Sequence, residues 1–408
     1  MSTRTPTLLS LYSGCGGMDY GFESAGFESR ALLEMDYDCC ETLRANRDWP
    51  VLERDVFETP TRMILEAAGL RQGETDLLIG GPPCQPFSKA GYWASGDSRR
   101  LDDPRAGTLN AYMRIVEDAL PGAFVLENVS GLAFSGKDEG LQLLLGMIEK
   151  INRRTGTAYK PFFEVVRAVE HGVPQLRERF ILVAHRDGLD FKFPQPTHAL
   201  PGEENIFLEP ARTAWDALAD LPADPEDADN LAMKGKWADL LPSVPEGQNY
   251  LYHTERGEGR PLFGWRRRYW TFLLKLAKHL PSWTLQAQPG PAVGPFHWSN
   301  RRLNARELAR LQTFPDNITL KGTLAAKQKQ AGNAVPSLLA EVIARAILEQ
   351  WHAKRFKKPP RLLPSFKGAP PPPETIKDAP RKYWHLANQE TAHPGTGKGY
   401  RAGQIAKP

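Results

Sequence analysis

The sequence predicts an α/β fold: a parallel sheet covered by helices on both faces, followed by a smaller and irregular domain. Three observations predict it. Over the first two hundred residues short apolar runs alternate with amphipathic stretches, the pattern of strands joined by crossover helices. From about Phe193 to about His297 the texture changes to Pro, Gly, Asp and Trp with weak periodicity. Near the end a long apolar-periodic helix returns, preceded by Pro336.

The elements follow in order. Thr7 to Tyr12 reads as a buried strand, Met18 to Ser24 as the start of a helix, Ser29 to Glu34 as a second strand and Cys39 to Asn46 as a second helix. Val51 to Asp55 makes a third strand, and Asp76 to Gly80, Ala123 to Glu127 and Phe180 to Ala184 are three more apolar runs. Beyond the irregular region, Asn304 to Thr313 and Ser337 to Trp351 are helical. Residues 1–192 with 318–350 are expected to form the main domain, 193–317 the small one, and 351–408 a basic, Pro-rich extension.

A chain of 408 residues with 41% hydrophobic and 25% charged residues has ordinary globular composition. No run approaches the roughly 18 apolar residues of a membrane span, and the start lacks the apolar core of a signal peptide. The expectation is a cytoplasmic protein with no membrane contact. Cys15, Cys39, Cys40 and Cys84 show no C-x-x-C pair and no His at zinc spacing, so neither a metal site nor a disulfide framework is expected. Net charge, +4, says little about partners, but residues 351–408 hold 12 Lys or Arg against 3 acids. That block reads either as a solvated extension or as a segment that contacts nucleic acid, with Tyr383, Trp384 and Tyr400 set among its cations.

The first strand runs straight into Ser13-Gly-Cys-Gly-Gly17, glycines that let a ligand approach the backbone at a helix N-terminus. Asp19 stands where a dinucleotide site would need its third glycine. Glu34 closes the next strand about 20 residues on, the place from which a carboxylate reaches ribose hydroxyls. Asp55, after the third strand, is placed to meet an adenine amino group. Together they indicate an adenosine-containing cofactor without a pyrophosphate.

Cys84 follows the strand Asp76 to Gly80 and is framed by Pro82, Pro83 and Pro86, a stiff loop at the carboxyl edge of the sheet and poor company for a core cysteine. A thiol of pKa about 8.5 becomes a nucleophile when its loop favours the thiolate. A thiol hydrolase requires a base, usually His, and neither His171 nor His185 has such a context. Glu127 ends a strand on the same edge as Cys84, and reads either as a proton-sharing acid or as a strand-end surface residue. Arg177 and Arg179 lie on one side of an extended segment, for oxygen contacts or for a structural salt bridge. Within the irregular region, Trp265 to Trp270 with Arg266, Arg267 and Arg268 reads as a basic helical stretch suited to phosphate and base contact, while Trp283 and Trp298 suit a small core as well as they suit a contact.

These segments resemble, in order and from Leu8 to about Leu339, the motifs of bacterial DNA (cytosine-5) methyltransferases. Leu9 to Met18 with Gly21 to Phe27 is similar to the first cofactor motif, Gly80 to Ser88 to the catalytic loop, Glu127-Asn-Val129 to the acid motif and Gln175 to Arg179 to the Q-x-R-x-R motif. Arg302 to Pro315 and Gly332 to Pro336 are similar to the last two. The resemblance implies a Rossmann-like S-adenosylmethionine-dependent methyltransferase domain carrying a target-recognition domain. It implies that Tyr12, Gly14, Cys15, Gly17, Glu34, Met35, Asp55, Val56, Pro83, Leu109, Asn333 and Val335 hold the cofactor. Cys84 would attack cytosine C6, Glu127 would bond N3 and the exocyclic amine, and Arg179, with Arg177 beside it, would hold O2. Gln85 and Ser88, with the Gly- and Ser-rich stretch after them, would cover a flipped nucleotide, and Arg266, Arg267 and Arg268 would meet DNA.

Ser10, Tyr12 and Met35 depart from the usual Asp, Phe and aromatic residue, and the segment ending at Leu109 is one residue longer than usual, which puts the role of Leu109 in doubt. The implied partners are double-stranded DNA and a cognate restriction endonuclease, for a chain expected to act as a monomer. An RNA-methylating member of the same fold and a catalytically silent DNA-binding relative are the rival readings.

Overall fold

The strands nearest the centre of the sheet are those whose residues are buried on both faces, as a sheet sandwiched between helices requires. The computed structural model describes residues 4–83, 107–133, 139–222, 228–266 and 268–387. Strands β1 (Thr7–Leu11), β2 (Glu28–Glu34), β3 (Val51–Glu53), β4 (Leu77–Gly80), β5 (Ala123–Val129), β6 (Lys160–Arg167) and β8 (Glu178–His185) form one sheet in the order β3-β2-β1-β4-β5-β8-β6. The chain starts at β1, steps outward to β3 and returns to β4 on the other side of β1. That reversal opens a crevice at the carboxyl ends of β1 and β4, where ligands bind in open α/β sheets.

Alternation along the strands sends Leu9, Leu11, Leu78, Phe124 and Leu182 into one core with helices α3 (Thr61–Ala68), α4 (Gly107–Ala119) and α5 (Glu139–Thr155). Leu8, Leu77, Ile79, Val125 and Val183 pack on the other face against α1 (Gly17–Ala25) and the C-terminal helix Ser337–Trp351. Helix α2 (Tyr37–Asn46) is capped by the Asp36 side chain, which accepts from Cys39 N–H.

Two features differ from expectation. The sheet is not wholly parallel, because β8 runs antiparallel between β5 and β6. The link from β6 to β8 contains only the turn Ala168–His171 and the two-residue strand β7 (Gln175–Leu176), too short for the dozen or more residues of a parallel crossover. Strand β6 itself escapes sequence reading because its exposed Lys160, Glu164 and Arg167 interrupt the apolar pattern, as suits an edge strand.

Between Phe193 and Thr323 the described residues form short elements only. Helix α6 (Ala214–Leu218) carries a capping box between Thr213 and Asp216, α7 (Ala228–Leu231) is a single turn, and α8 (Ala305–Leu311) has a second box between Asn304 and Glu307. Two-residue strand β9 (Ser282–Trp283) pairs with β7. One cluster joins α6, α8 and Trp298 to Cys15 and Tyr20 at the start of α1. A second is mainly aromatic, with Tyr250, Phe263, Phe272 and Phe296. The helix expected over Trp265 to Trp270 does not form among the described residues: Arg266 takes a left-handed φ of 55°, and the chain there is turn and bend. The guanidinium of Arg268 turns inward over the rings of Trp237 and Phe272, at 5.6 Å from each, while the Tyr250 hydroxyl bonds its carbonyl.

Helices α9 (Leu324–Asn333) and α10 (Ser337–Trp351) complete the fold. Residues Leu324–Trp351 have the length and composition of a membrane span, yet 83% of the most apolar window is buried inside the protein. Beyond Trp351 the basic segment is a strap as far as Leu386, rather than a free extension. The buried Glu341 carboxylate accepts the N–H groups of Arg361 (2.7 Å) and Leu362 (2.9 Å), and Lys278 bonds both Glu246 and Glu374 at 2.8 Å. Tyr383 stacks on Trp237 with centroids 5.7 Å apart, and Arg260 lies 3.8 Å over the Trp384 ring. Tyr400 lies outside the described residues.

Candidate active site

The glycine-rich turn after β1 is shaped by its backbone. Gly14 has φ +55° with open space where a side chain would stand, and Gly16 has φ +87°. At Gly17 a Cβ would meet the Val335 carbonyl oxygen at 2.4 Å, so only glycine lets the first turn of α1 seat against the segment between α9 and α10. Glu34 anchors the turn: one carboxylate oxygen accepts Gly14 N–H (2.7 Å) and the other accepts Met35 and Asp36 N–H (2.9 and 2.8 Å). Two exposed apolar side chains flank this crevice, Met35 at 65% and Phe57 at 55% exposure. Asp55 accepts Phe57 N–H at 2.9 Å, and a Cβ on Gly107 would lie 3.4 Å from the Phe57 ring. Sequence reading did not find Phe57; its place two residues after Asp55 was the available signal.

Other expected cofactor residues sit deeper. Cys15, Val56, Leu109 and Val335 are buried in the cores, Tyr12 donates its hydroxyl to the Thr108 carbonyl at 2.8 Å, and Asn333 is exposed. Burial pushes the thiols of Cys15 and Cys40 up to about 12 and that of Cys39 higher still, so none of the three described cysteines is a nucleophile. Among the described residues no cluster of His, Cys, Asp or Glu has the make-up of a metal site.

Asp19, wholly buried below the turn, has its pKa raised to about 7 by desolvation. An acid that holds its proton more tightly when folded stabilises the fold below its unfolded pKa of about 4 and loses that contribution as pH rises through the folded value. Asp19→Asn is therefore expected to flatten the decline in stability between about pH 4 and pH 7. The difference should approach about 1.4 kcal/mol per pH unit below pH 7, read as urea midpoints of the two proteins, and parallel profiles would count against it.

The catalytic edge is built by β4, β5 and β8. Glu127 lies opposite Ile181 and Val129 opposite Arg179, so Glu127 and Arg179 are diagonal neighbours on one face. Their side chains meet at 2.6 Å with 11% and 13% exposure. Burial raises the Glu127 pKa above the ordinary carboxylate range against the pull of Arg179 and Arg177. Gly81 touches this pair: a Cβ there would lie 2.7 Å from a Glu127 carboxylate oxygen. Asn128 donates to the Pro82 carbonyl (3.1 Å) and Thr108 to that of Pro83 (2.8 Å), fixing the two residues that lead into Cys84. Sequence reading gave neither anchor a role: Asn128 stood only as the middle of the Glu127-Asn-Val129 motif, and Thr108 at a helix start carries no distinctive pattern. Cys84, Gln85, Ser88 and Arg267 lie outside the described residues.

Arg177, expected beside Arg179, lies where the strand pairing is interrupted between β7 and β8, and its buried guanidinium donates to the carbonyls of Gly332 (2.9 Å) and Ala334 (2.8 Å), in the segment that seats against Gly17. Gln175 does similar work, accepting Leu285 N–H and donating to Gln312. Arg268, expected to meet DNA, is held among the aromatic rings instead.

The sequence profile of C-5 cytosine-specific DNA methylases matches residues 7–349. The chain belongs to that family. It is thus a DNA cytosine-5 methyltransferase. It is 41% identical over 370 residues to the Type II methyltransferase M.SacI of Streptomyces achromogenes, covering 84% of this chain and 93% of that one. M.NgoFVII of Neisseria gonorrhoeae is 31% identical over 351 residues, covering 85% and 87%. Among solved structures, a prophage-encoded E. coli protein described as a DNA modification methyltransferase aligns with TM-score 0.61 at 21% identity, over 85% of this chain and all of that one. Spodoptera frugiperda DNMT2 aligns with TM-score 0.56 at 15% identity, over 84% and 100%. These two likenesses show a shared Rossmann-like fold.

Proposed function

We propose that this DNA cytosine-5 methyltransferase takes its methyl group from S-adenosylmethionine and acts through a covalent bond between Cys84 and cytosine C6 within a specific duplex sequence. The observation that carries the reading is the buried Glu127–Arg179 pair at 2.6 Å, set against Gly81 three residues before Cys84. Residues 1–192 with 318–350 form the catalytic unit, 193–317 the recognition unit, and 351–408 an extension whose first part straps the two together.

The residues at the glycine turn fit the cofactor. The space over Gly14 is a cradle that any side chain would fill, Glu34 is positioned for ribose hydroxyls, Asp55 for the adenine amine, and Met35 and Phe57 supply apolar faces for the ring. When bound, S-adenosylmethionine supplies an electrophilic methyl group. The work of the chain is to make cytosine C5 accept it. C5 lies inside an aromatic ring and is a poor nucleophile. Addition of the Cys84 thiolate to C6 breaks the aromaticity, and Glu127, whose burial favours proton uptake, shares a proton with N3 so that the electron pair of the C5–C6 bond becomes enamine-like at C5. Arg179 holds the O2 carbonyl. Methyl transfer, loss of the C5 proton and expulsion of Cys84 restore the ring. A stacked base hides C6, so the cytosine must leave the duplex, at a cost of a few kcal/mol.

Arg266 remains a candidate for phosphate contact. The Type II relatives support a role in protecting host DNA beside a cognate endonuclease, and we take the protein to act in the cytoplasm as a monomer. Bisulfite sequencing of DNA from cells expressing the protein, with duplex DNA and tRNA compared as substrates in vitro, tests this. Protected cytosines in one short duplex motif are expected. Preference for tRNA, or modification of adenine or of cytosine N4, would overturn it.

A further inference from the structure

Beside Arg179 lies a cavity of about 500 Å³ lined by Val129, Arg167, Leu176, Arg177, Arg179 and Trp283, among others. Trp283 has no part in the chemistry above, yet it keeps 37% of its surface exposed here. Its neighbour Trp270, 49% exposed, meets it edge to face with centroids 5.4 Å apart and rings 68° apart. Trp283 is placed by backbone pairing, not by a core. It lies opposite Leu176 in the β7–β9 ladder, Ser282 donates its N–H to the Pro174 carbonyl at 2.9 Å, and Ser282 and Leu285 are each 1% exposed. Since adjacent strand residues point to opposite faces, burial of Ser282 forces the Trp283 indole outward.

Two solvent-facing indoles held on a rigid ladder leave a large apolar area wet, which a protein keeps where a ligand covers it. Three guanidinium groups, those of Arg167, Arg177 and Arg179, line the cavity against one carboxylate, Glu178, with Arg167 paired to Glu170 and Glu178 and Arg179 to Glu127. An aromatic wall beside guanidinium groups suits a nucleotide, with its flat base and anionic phosphate.

We propose that Trp283, braced by Trp270, is the wall against which the extrahelical target nucleotide packs, so that it stabilises the extruded state rather than duplex binding in general. The proposal rests on the cytosine methylation reading and names a positioning residue for its base-extrusion step. A duplex with 2-aminopurine at the target position, which brightens when unstacked, reports extrusion; a duplex with an abasic target needs no unstacking. With both, and S-adenosylhomocysteine present, the wild-type protein must brighten the first, and its failure to do so would count against the methylation reading itself. Given that signal, Trp283→Ala is expected to cut the extruded population about fivefold or more, the low end for loss of one aromatic stacking partner. Its affinity for the abasic duplex should stay within about twofold of wild type, as suits an exposed position. Trp283→Phe should recover most of the signal, and Trp270→Ala should fall between. An unchanged signal in Trp283→Ala, or an equal loss of affinity for both duplexes, would overturn the proposal.

Discussion

Replacing Cys84 by serine is expected to abolish methyl transfer, by a factor on the order of 10³ to 10⁶ in single-turnover rate, while affinity for S-adenosylmethionine changes by less than about threefold. Attack at C6 requires a polarisable anion. A thiol of pKa about 8.5 supplies one at neutral pH and a serine hydroxyl does not. None of the described cysteines can substitute, since Cys15, Cys39 and Cys40 are buried with raised pKa values. The crevice proposed for the cofactor is assembled from Gly14, Glu34 and the ends of β1 to β3, none of which bonds residue 84 among the described contacts. Single-turnover transfer of labelled methyl, with calorimetric titration of the cofactor, measures both halves. Turnover within tenfold of wild type would rule out the thiol mechanism.

Glu127→Gln is expected to lower the same rate constant by about 10² to 10⁴, the range for a lost general acid, and to remove the limb of the pH profile that protonation of Glu127 creates. Burial raises the pKa of this carboxyl, so its protonated fraction falls as pH rises through a value above the ordinary carboxylate range. Wild-type transfer at saturating cofactor and DNA should therefore decline on the alkaline side of that value, while the amide, which cannot titrate, should show no such limb. The substitution also leaves the Arg179 guanidinium, 13% exposed and paired at 2.6 Å, without its counter-charge. An unpartnered charge of this kind costs about 3 kcal/mol or more where burial is complete, so a lower unfolding midpoint is expected as well. A variant with normal rate and normal pH profile would show that the pair is structural.

What the sequence made legible follows from where local chemistry is distinctive. Gly14, Gly17 and Glu34 could be found because glycines between a strand and a helix, and an acid at the end of the next strand, have few other reasons to occur together. Glu127 stood at the end of an apolar run, and the register of β5 with β8 supplied what the run alone did not, its contact with Arg179. The contacts of Arg177 were not legible because sequence spacing treats residues 175 to 179 as one extended segment, whereas the strand is interrupted there and the guanidinium turns toward Gly332 and Ala334. Those of Arg268 were hidden for a related reason: a run of cations among aromatics reads as a surface, and only the fold shows which cation the rings enclose. Strand β6 was hidden by edge-strand charges, and with it the antiparallel direction of β8, whose apolar run was itself legible. The strap after Trp351 was hidden by composition, since its docking depends on backbone N–H groups and on partners as distant as Asp216, Glu246 and Trp237.

The covalent bond between Cys84 and C6 is tested most directly with a duplex whose target cytosine carries fluorine at C5. After methyl transfer the ring can regain aromaticity only by losing the C5 substituent as a cation, which a proton does and fluorine does not, so Cys84 stays attached. Incubation with S-adenosylmethionine should give a protein–DNA species that survives denaturation, maps by proteolysis and mass spectrometry to the peptide containing Cys84, and is missing from Cys84→Ser. Attachment through any other residue, or the absence of a stable species while ordinary cytosine is methylated normally, would contradict the mechanism.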